Sequence, residues 1–229
     1  MAIVTVDFDG TLYQGDSFKA MFKMGKRHFN WKQWGTVLGG VVKSVGFGIV
    51  KGKTALKHEF FKSFASTFKG KTPEELDIFF QELVIMADNE VNHHLVNKIR
   101  EHQEDGDTVI ILSGALRPFL EAFSKRLDLD TKIISTELLY DQNNICTGKI
   151  GTIINGDEKV LKVQEWLKDH VTSDGSYEYE IWAYADSESD IPLLHFVEHP
   201  IVVNPDQDMK KIAIENQWPI FASELENTV

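Results

Sequence analysis

The chain has 229 residues, of which 42% are hydrophobic, so it can bury an extended core and is not expected to be disordered. Its 24 basic and 35 acidic residues give a formal net charge of −11, which argues against nucleic acid as a general partner because the phosphate backbone would be repelled. A local site for a small phosphate stays open, provided that a divalent cation and a few donors offset the acidic charge.

Four short apolar runs predict the strands of a parallel sheet. Each run is followed by polar or turn-forming residues, as expected where a buried strand ends. Helical patterns separate the runs, and apolar strands of this kind indicate a parallel sheet that is covered on both faces. The predicted fold class is therefore α/β, with a Rossmann-like core. The runs are residues 2–8, 107–112, 181–185 and 200–203.

A long helical stretch separates the first two predicted strands. Roughly 100 residues lie between them, far more than a crossover connection requires. Apolar residues, most of them phenylalanine, recur at helical spacing over residues 56–68, and a second such pattern over residues 76–84 follows Thr72-Pro73, a favourable helix start. We interpret both stripes as core rather than as a ligand site.

We predict that this stretch is an inserted helical cap domain. The cap would cover residues 13–100, and the core would combine residues 1–12 and 101–229. Ligands of open α/β sheets bind beyond the carboxyl ends of the strands, so a cap inserted after the first strand would close over that edge and exclude water.

The most apolar part of the predicted cap runs from Trp34 to Val50. It contains Lys43 and several glycines, whereas a membrane span requires about 20 largely apolar residues. We expect a buried helical segment of the cap here, and a membrane anchor is the alternative.

The C-terminal half contains two further predicted elements before the tail. Residues 138–140 and 145–149 flank a polar turn and predict a hairpin. Residues 157–170 have helical spacing, and the tail after Ser223 is expected to fray.

Acidic side chains follow two of the predicted strands. Asp7 and Asp9 come at the end of the first strand, and two like charges there are costly unless a cation or a proton holds them. Asp186 and Asp190 follow the third strand and would share a face if a helix begins there. Carboxylate oxygens suit Mg²⁺, and no comparable histidine or cysteine cluster indicates zinc.

Two weaker signals point to phosphate binding. Ser113 and Gly114 follow the second strand, where a strand-to-helix turn would offer a hydroxyl and backbone N–H groups to an oxyanion. Lys159 lies near the start of a predicted helix, after Gly156, and could neutralise a phosphate oxygen. Either signal alone is also typical of an ordinary turn or a solvated surface.

Taken together, these residues resemble the four motifs of the haloacid dehalogenase (HAD) superfamily. They occur in the same order and at the same strand ends, over nearly the whole chain. The helical insert after the first motif is similar to the phosphoserine phosphatase-like branch of that superfamily. The motifs are Asp7-Phe-Asp-Gly-Thr, Ser113-Gly114, Lys159 and Asp186-Ser-Glu-Ser-Asp190, and further segments typical of the branch are Thr147-Gly-Lys-Ile-Gly151, Gly156-Asp-Glu-Lys159 and Val203-Asn-Pro-Asp206.

The resemblance implies a phosphatase that uses Mg²⁺ and hydrolyses a small phosphate monoester through an aspartyl phosphate. Asp7 would be the nucleophile, and Asp9 would protonate the leaving oxygen and then activate water. The metal would be held by Asp7, the backbone carbonyl of Asp9 and Asp186, with Asp190 acting directly or through water. The phosphoryl oxygens would be bound by Ser113, Gly114 and Lys159.

The resemblance is less informative about the substrate. Asp16 lies near the position of an acidic residue that holds the substrate ammonium in phosphoserine phosphatases. The branch also uses a cap arginine for the substrate carboxylate, but Arg27, the sole arginine between residues 1 and 99, cannot be aligned with it. Phosphoserine is therefore one candidate among several, and the apolar run from Trp34 to Val50 raises the hypothesis of a pocket for an apolar leaving group.

Several alternatives stay open at this point. A mutase or transferase of the same superfamily would use the same Asp7 intermediate with another acceptor, and a catalytically silent binding module could retain the fold. The lone cysteine, Cys146, and the absence of a signal-like N-terminus favour the cytoplasm. The sequence shows no self-association pattern, so it does not predict the oligomeric state.

Overall fold

A six-stranded parallel sheet forms the centre of the computed structural model, which describes residues 1–46, 53–168 and 177–222. The strand order is β3-β2-β1-β6-β7-β8, and all neighbouring pairs are parallel. The predicted α/β class is confirmed, and each of the four predicted strands is present. The strands are β1 (Ile3–Val6), β2 (Thr108–Leu116), β3 (Lys132–Thr136), β6 (Ile181–Ala185), β7 (His199–Val203) and β8 (Ile220–Phe221).

The pairing of β1 decides where the site lies. β1 is flanked by β2 on one side and β6 on the other, and Val6 is in register with both Ile111 and Tyr184. The carboxyl ends of these three strands therefore meet at one edge of the sheet, where ligands of α/β sheets bind.

The end of β2 differs from the prediction. We expected the strand to stop at Ser113-Gly114 in a strand-to-helix turn, but it continues to Leu116. The pairing with β3 shifts register between Ser113 and Leu116, which is typical of a β-bulge, and the Thr136 hydroxyl donates to the Gly114 carbonyl at 2.8 Å. The expected turn was wrong because serine and glycine also suit a bulge.

Helices cover both faces of the sheet and form the insert between β1 and β2. The hairpin predicted over residues 138–149 is confirmed as a separate two-stranded antiparallel sheet, β4 (Leu138–Tyr140) and β5 (Cys146–Ile150). The helices are α1 (Ser17–His28), α2 (Trp31–Gly46), α3 (Lys53–Ser66), α4 (Pro73–Ala87), α5 (His93–Glu104), α6 (Arg117–Arg126), α7 (Asp157–Leu167), α8 (Ile191–Phe196) and α9 (Gln207–Glu215).

The predicted start of α4 is confirmed by a capping box. The Thr72 hydroxyl accepts the backbone N–H of Glu75 at 3.3 Å, and the Glu75 carboxylate accepts the backbone N–H of Thr72 at 3.0 Å. Pro73 occupies the first helical position, where a missing N–H costs nothing.

The predicted phenylalanine stripes form the core of the insert. Phe64, Phe68 and Phe80 are buried. The ring centroid of Phe68 lies 5.5 Å from that of Phe64 and 5.6 Å from that of Phe80. Phe68 contributes from the turn after α3, because the helix ends at Ser66. The three rings belong to the same hydrophobic cluster as the buried residues of β1 and β2.

The division into a core and a cap stays a prediction. The predicted boundary between residues 100 and 101 falls inside α5, which packs against β2. Backbone hydrogen bonds link the insert to the rest of the chain: Asn92 donates to the carbonyl of Leu12 at 3.0 Å, and Cys146 donates to the carbonyl of Lys71 at 2.8 Å.

The apolar run from Trp34 to Val50 is less buried than expected. It lies largely in α2, whereas residues 47–50 fall outside the described ranges. Val37 is buried, but Leu38 and Val42 are 54% and 67% exposed, so the expectation of a buried segment was wrong for much of this helix. No helix within the described ranges is long and apolar enough to cross a membrane. The tail after Ser223 also lies outside the described residues.

Candidate active site

Asp7 lies just beyond the carboxyl end of β1 and is buried. Its backbone N–H donates to the carbonyl of Tyr184 at 2.9 Å, which continues the pairing of β1 with β6. Oδ1 of Asp7 accepts a hydrogen bond from Nζ of Lys159 at 2.7 Å. A carboxylate is therefore fixed at the edge where the central strands end.

Three carboxylates converge at this edge. One oxygen from each of Asp7, Asp186 and Asp190 lies within 4.8 Å of the others. Oδ1 of Asp186 accepts the Thr11 hydroxyl at 3.0 Å, and Oδ2 of Asp190 accepts the Ser187 hydroxyl at 2.7 Å. These bonds hold the carboxylates in place, as expected of groups that orient metal ligands.

The two later carboxylates do not meet through a helical face. Asp186 and Asp190 would share a face only if a helix began near Asp186, but residues 188–190 form a short 3₁₀ turn and α8 begins at Ile191. The tight turn brings Asp190 back toward β1, and its backbone N–H donates to the carbonyl of Ser187 at 2.9 Å.

Lys159 bridges two of these carboxylates from the first turn of α7. It is buried, and Nζ donates to Oδ1 of Asp7 at 2.7 Å and to Oδ1 of Asp190 at 2.5 Å. Burial alone lowers the pKa of Lys159, but the charges of Asp190 and Asp7 outweigh it and the pKa lies above its usual value. The side chain is therefore a buried cation and not the solvated surface group that a lone lysine usually is.

The site does not contain enough positive charge to stabilise all three carboxylates in their ionised form. Burial, together with the negative charges of Asp190 and Asp186, raises the pKa of Asp7 to about 8 against the opposing charge of Lys159. Burial and the charge of Asp190 raise the pKa of Asp186 to about 6. If all four groups ionise, one positive charge faces three negative charges. A divalent cation would balance the remaining two, so the donor set fits Mg²⁺.

Asp9 is held by the first residue of α1. Its Oδ1 accepts the backbone N–H of Ser17 at 2.7 Å, and its Oδ2 accepts the Ser17 hydroxyl at 2.6 Å. Burial raises the pKa of Asp9 to about 7, although the hydrogen bonds from Ser17 oppose the rise. A carboxyl group with such a pKa can both give and take a proton near neutral pH.

Gly10 permits the close approach of the two acidic segments. Its φ is +81°, and a Cβ at this position would lie 2.1 Å from Oδ2 of Asp186. The turn after β1 can therefore pack against Asp186 only because residue 10 has no side chain.

Ser113 and Gly114 lie beside the carboxylates, as the sequence predicted, although a bulge and not a turn places them there. Both line the same cleft as Asp7. The Ser113 hydroxyl accepts the backbone N–H of Ala115 at 3.2 Å, and a Cβ at Gly114 would lie 3.2 Å from the carbonyl oxygen of Ile154. The backbone here is closely covered by the segment that leads into α7.

Asp16 lines the cleft but also has a structural role. It is the N-cap of α1, and its Oδ1 accepts the backbone N–H of Lys19 at 3.2 Å. Its predicted contact with a substrate ammonium is therefore not needed to explain an aspartate at this position, and that contact stays a prediction.

Comparison with known proteins agrees with this geometry. The family model for haloacid dehalogenase-like hydrolases matches residues 4–195. The chain belongs to this family. Its match therefore includes each of the residues assembled above, from Asp7 to Asp190.

The individual relatives in the HAD family have low sequence identity to this chain. The histidinol-phosphatase of Neisseria meningitidis is 29% identical over 71% of this chain and 73% of that protein. Three other curated relatives are matched over half of their own length or less. A Bordetella pertussis protein of unknown function has a similar structure, with a TM-score of 0.76 at 22% identity over 97% of this chain and 99% of that chain.

A phosphoserine phosphatase determined as a phospho-aspartyl intermediate analogue is also similar. Its TM-score is 0.56 at 15% identity, over 97% of this chain and 93% of that chain. This likeness shows a shared fold over almost the full length of both chains.

The HAD-type cleft around these residues has a volume of about 600 Å³. The sequence alone did not identify several side chains that shape it. Thr11 and Ser17 hold Asp186 and Asp9, and His58 and Phe61 reach the cleft from α3. Thr11 belongs to a recognised motif, and Phe61 belongs to the phenylalanine stripe that was interpreted as core, whereas Ser17 and His58 carry no sequence signal. The lining consists of Asp7, Asp9, Gly10, Gly15, Asp16, His58, Phe61, Ser113, Gly114, Ile153, Asn155, Lys159, Asp186, Ser187, Glu188, Ser189 and Asp206.

The described part of the apolar run in α2 supplies none of these lining residues. The hypothesis of an apolar leaving-group pocket built from that run therefore gains no support from the described residues.

Proposed function

We propose that the chain is a Mg²⁺-dependent phosphatase that hydrolyses a small phosphate monoester through an aspartyl phosphate on Asp7. The observation that carries the proposal is the group of buried Asp7, half-buried Asp186 and buried Asp190, with Lys159 paired to both buried carboxylates. Buried carboxylates at this density are costly to stability and are typical of a site that binds a cation. The phosphatase name of a relative matched over most of both chains agrees with this reading.

Asp7 and Asp9 would share the chemistry of two successive steps. A carboxylate oxygen of Asp7 attacks phosphorus, the bond from phosphorus to the leaving oxygen breaks, and Asp9 gives its proton to that oxygen. Asp9 then takes a proton from water, and the water oxygen attacks the same phosphorus. The bond to Asp7 breaks, inorganic phosphate leaves, and both carboxyl groups return to their starting states.

The remaining site residues would supply charge and position. Asp7, Asp186 and the backbone carbonyl of Asp9 would hold Mg²⁺, with Asp190 acting directly or through water. When bound, the ion would remove the repulsion between the anionic nucleophile and the anionic substrate. The hydroxyl of Ser113, the backbone of Gly114 and Nζ of Lys159 would bind the phosphoryl oxygens.

The small cleft and the names of relatives suggest substrates to test. Histidinol phosphate and phosphoserine are both small monoesters and correspond to the names of similar proteins. A cytoplasmic location, predicted from the lone cysteine, stays a prediction.

The test is phosphate release from a broad panel of phosphomonoesters, with Mg²⁺ and with chelator, for the wild type and Asp7→Asn side by side. We expect release that requires the metal and is abolished in Asp7→Asn, together with a phosphoenzyme that only the wild type forms. Near-normal turnover by Asp7→Asn would refute the nucleophile, and full activity in chelator would refute the metal.

The same assay separates the alternatives. Release of inorganic phosphate without an added acceptor supports hydrolysis over transfer or mutase activity. Silence across the panel, in a protein that binds phosphate esters, would instead indicate a binding module.

A further inference from the structure

The charges of this chain are strongly segregated along the sequence. Residues 17–72, which run from the start of α1 to the N-cap of α4, contain twelve lysines and arginines and a single acidic residue, Glu59. The rest of the chain contains the other twelve basic residues and 34 of the 35 acidic residues. Residues 17–72 therefore carry a formal charge of +11 within a chain whose net charge is −11.

The exposed side of α1 is basic. Lys23, Lys26 and Arg27 are separated by three and four residues along the helix, so they project from the same side, and all three are exposed. Met21 and Met24 lie on the other side and are buried. The helix therefore presents a group of cations to solvent while its apolar side packs into the core.

One side of α2 is both apolar and exposed. Trp31, Leu38 and Val42 are separated by seven and four residues, which places them on one side of the helix, and each is more than half exposed. Gly35 and Gly39 extend this side, and a Cβ at either position would meet no atom within 4 Å. Exposed apolar surface of this kind is typical of a site that binds a membrane or another protein.

Aromatic packing places the two sides next to each other. The ring centroids of Phe22 in α1 and Trp34 in α2 lie 5.2 Å apart, and Nζ of Lys26 lies 5.0 Å from the centroid of Phe22. Trp34 is one helical turn from both Trp31 and Leu38. The cations of α1 therefore border the apolar side of α2. We call the combined surface the insert face, and it consists of Lys23, Lys26, Arg27, Trp31, Leu38 and Val42.

We propose that the insert face binds the surface of an anionic lipid bilayer, with α2 lying along the membrane interface. Helices that lie in this interface combine an apolar side with flanking lysine and arginine. The ring of Trp31 suits the depth of the headgroups, and Nζ of Lys32 lies 5.7 Å from its centroid. Anionic headgroups would attract the basic residues, and Leu38 and Val42 would enter the acyl boundary. The inference does not depend on the proposed phosphatase activity.

The charge and the apolar surface together favour a bilayer over other partners. Nucleic acid would pair with the basic residues but has no hydrocarbon layer to cover Leu38 and Val42. A second copy of this chain would cover them, but a two-fold interface would bring the same cations of both copies together. An anionic bilayer offers both the charge and the hydrocarbon, and the acidic remainder of the chain would face away from it.

Sedimentation of the full chain with lipid vesicles tests the proposal. We expect binding to vesicles made of phosphatidylcholine and phosphatidylglycerol in equal parts, and at least about tenfold weaker binding to phosphatidylcholine alone. Raising the salt concentration should weaken binding to the anionic vesicles, because the attraction between the exposed cations and the headgroups is screened.

Substitutions on the insert face locate the contact. Leu38→Asp and Lys26→Glu should each lower the affinity for anionic vesicles at least about tenfold. Ile78→Asp is the matched control for the first, because Ile78 is an exposed apolar residue of α4 outside the face. Lys211→Glu, on the exposed surface of α9, is the control for the second. Trp31→Phe should remove most of the blue shift that anionic vesicles cause in tryptophan emission.

The outcomes decide which partner the insert face binds, and the unfolding midpoint of each variant confirms that it is folded. A lack of binding to anionic vesicles would overturn the proposal, as would equal binding by Leu38→Asp and Ile78→Asp. Binding to heparin that exceeds vesicle binding and is unchanged in Leu38→Asp would indicate a site for soluble polyanions instead. Self-association that Leu38→Asp abolishes, without vesicle binding, would assign the face to a second copy. None of these measurements requires phosphatase activity, so either proposal can fail alone.

Discussion

Replacing Ser17 with alanine should change the pH profile of turnover, because Ser17 holds the proposed acid and base. Its backbone N–H and its hydroxyl each donate to one oxygen of Asp9, at 2.7 and 2.6 Å. Burial raises the pKa of Asp9 to about 7, and the bonds from Ser17 oppose that rise because they favour the charged carboxylate. Ser17→Ala removes one of the two bonds, so the pKa of Asp9 should rise further.

The size of the shift follows from the bond that is lost. A hydrogen bond to a charged group contributes about 1.5–3 kcal/mol, which corresponds to about one to two pKa units. Hydrolysis of the phosphoenzyme requires Asp9 in its basic form. The ascending limb of kcat against pH should therefore move to higher pH by that amount, and phosphoenzyme should accumulate at neutral pH.

The assay is kcat from about pH 5 to pH 9 with saturating Mg²⁺, combined with rapid-quench detection of phosphoenzyme. Ser124→Ala is the control, because Ser124 is a buried helical serine whose hydroxyl donates to the carbonyl of Leu129 at 2.9 Å, outside the cleft lining. An unshifted profile in a stably folded Ser17→Ala protein would refute the assignment of Asp9 as the titrating base.

Three further predictions concern the metal site. Gly10→Ala should raise the Mg²⁺ concentration needed for half-maximal activity at least about tenfold. The added Cβ would lie 2.1 Å from Oδ2 of Asp186 and would displace that carboxylate. Lys159→Met should raise the activation free energy by about 3 kcal/mol, which lowers kcat roughly 100-fold. The substitution should also reduce the calorimetric unfolding midpoint, most strongly in chelator, where Asp7 and Asp190 lose their counter-charge. In chelator, the free energy of unfolding of the wild type, measured with urea, should fall as the pH rises from 3.8 to about 8. The reason is that the carboxyl of Asp7 ionises at lower pH in the unfolded state than in the folded state. A flat profile would contradict the raised pKa of Asp7.

The sequence was most informative where a local pattern reports a local structure. Apolar runs located the central strands, and Thr72-Pro73 located the start of α4. The acidic residues at strand ends were predicted to lie together, and the structure places Asp7, Asp186 and Asp190 within 4.8 Å. This worked because parallel strands of one sheet end at the same edge, so that strand order alone brings distant residues together.

The sequence was least informative where tertiary packing overrides the local pattern. Ser113-Gly114 suits both a turn and a bulge, and only the pairing with β3 distinguishes them. The apolar residues of α2 suggested burial, yet Val42 is 67% exposed, because the position of a helix on the surface depends on its neighbours. His58 could not be identified, since nothing in a single histidine indicates that α3 faces the cleft.

The same arrangement explains why catalysis and stability are opposed in this site. Asp7 comes from the end of β1, Lys159 from α7 and Asp190 from the turn after β6, so folding itself concentrates charges that would repel one another in isolation. Lys159 offsets part of this repulsion without a ligand, which allows the site to form. It leaves two negative charges unbalanced, and a divalent cation would neutralise them before an anionic phosphate ester approaches. A site neutralised completely by protein side chains would fold more stably but would have no affinity left for the metal.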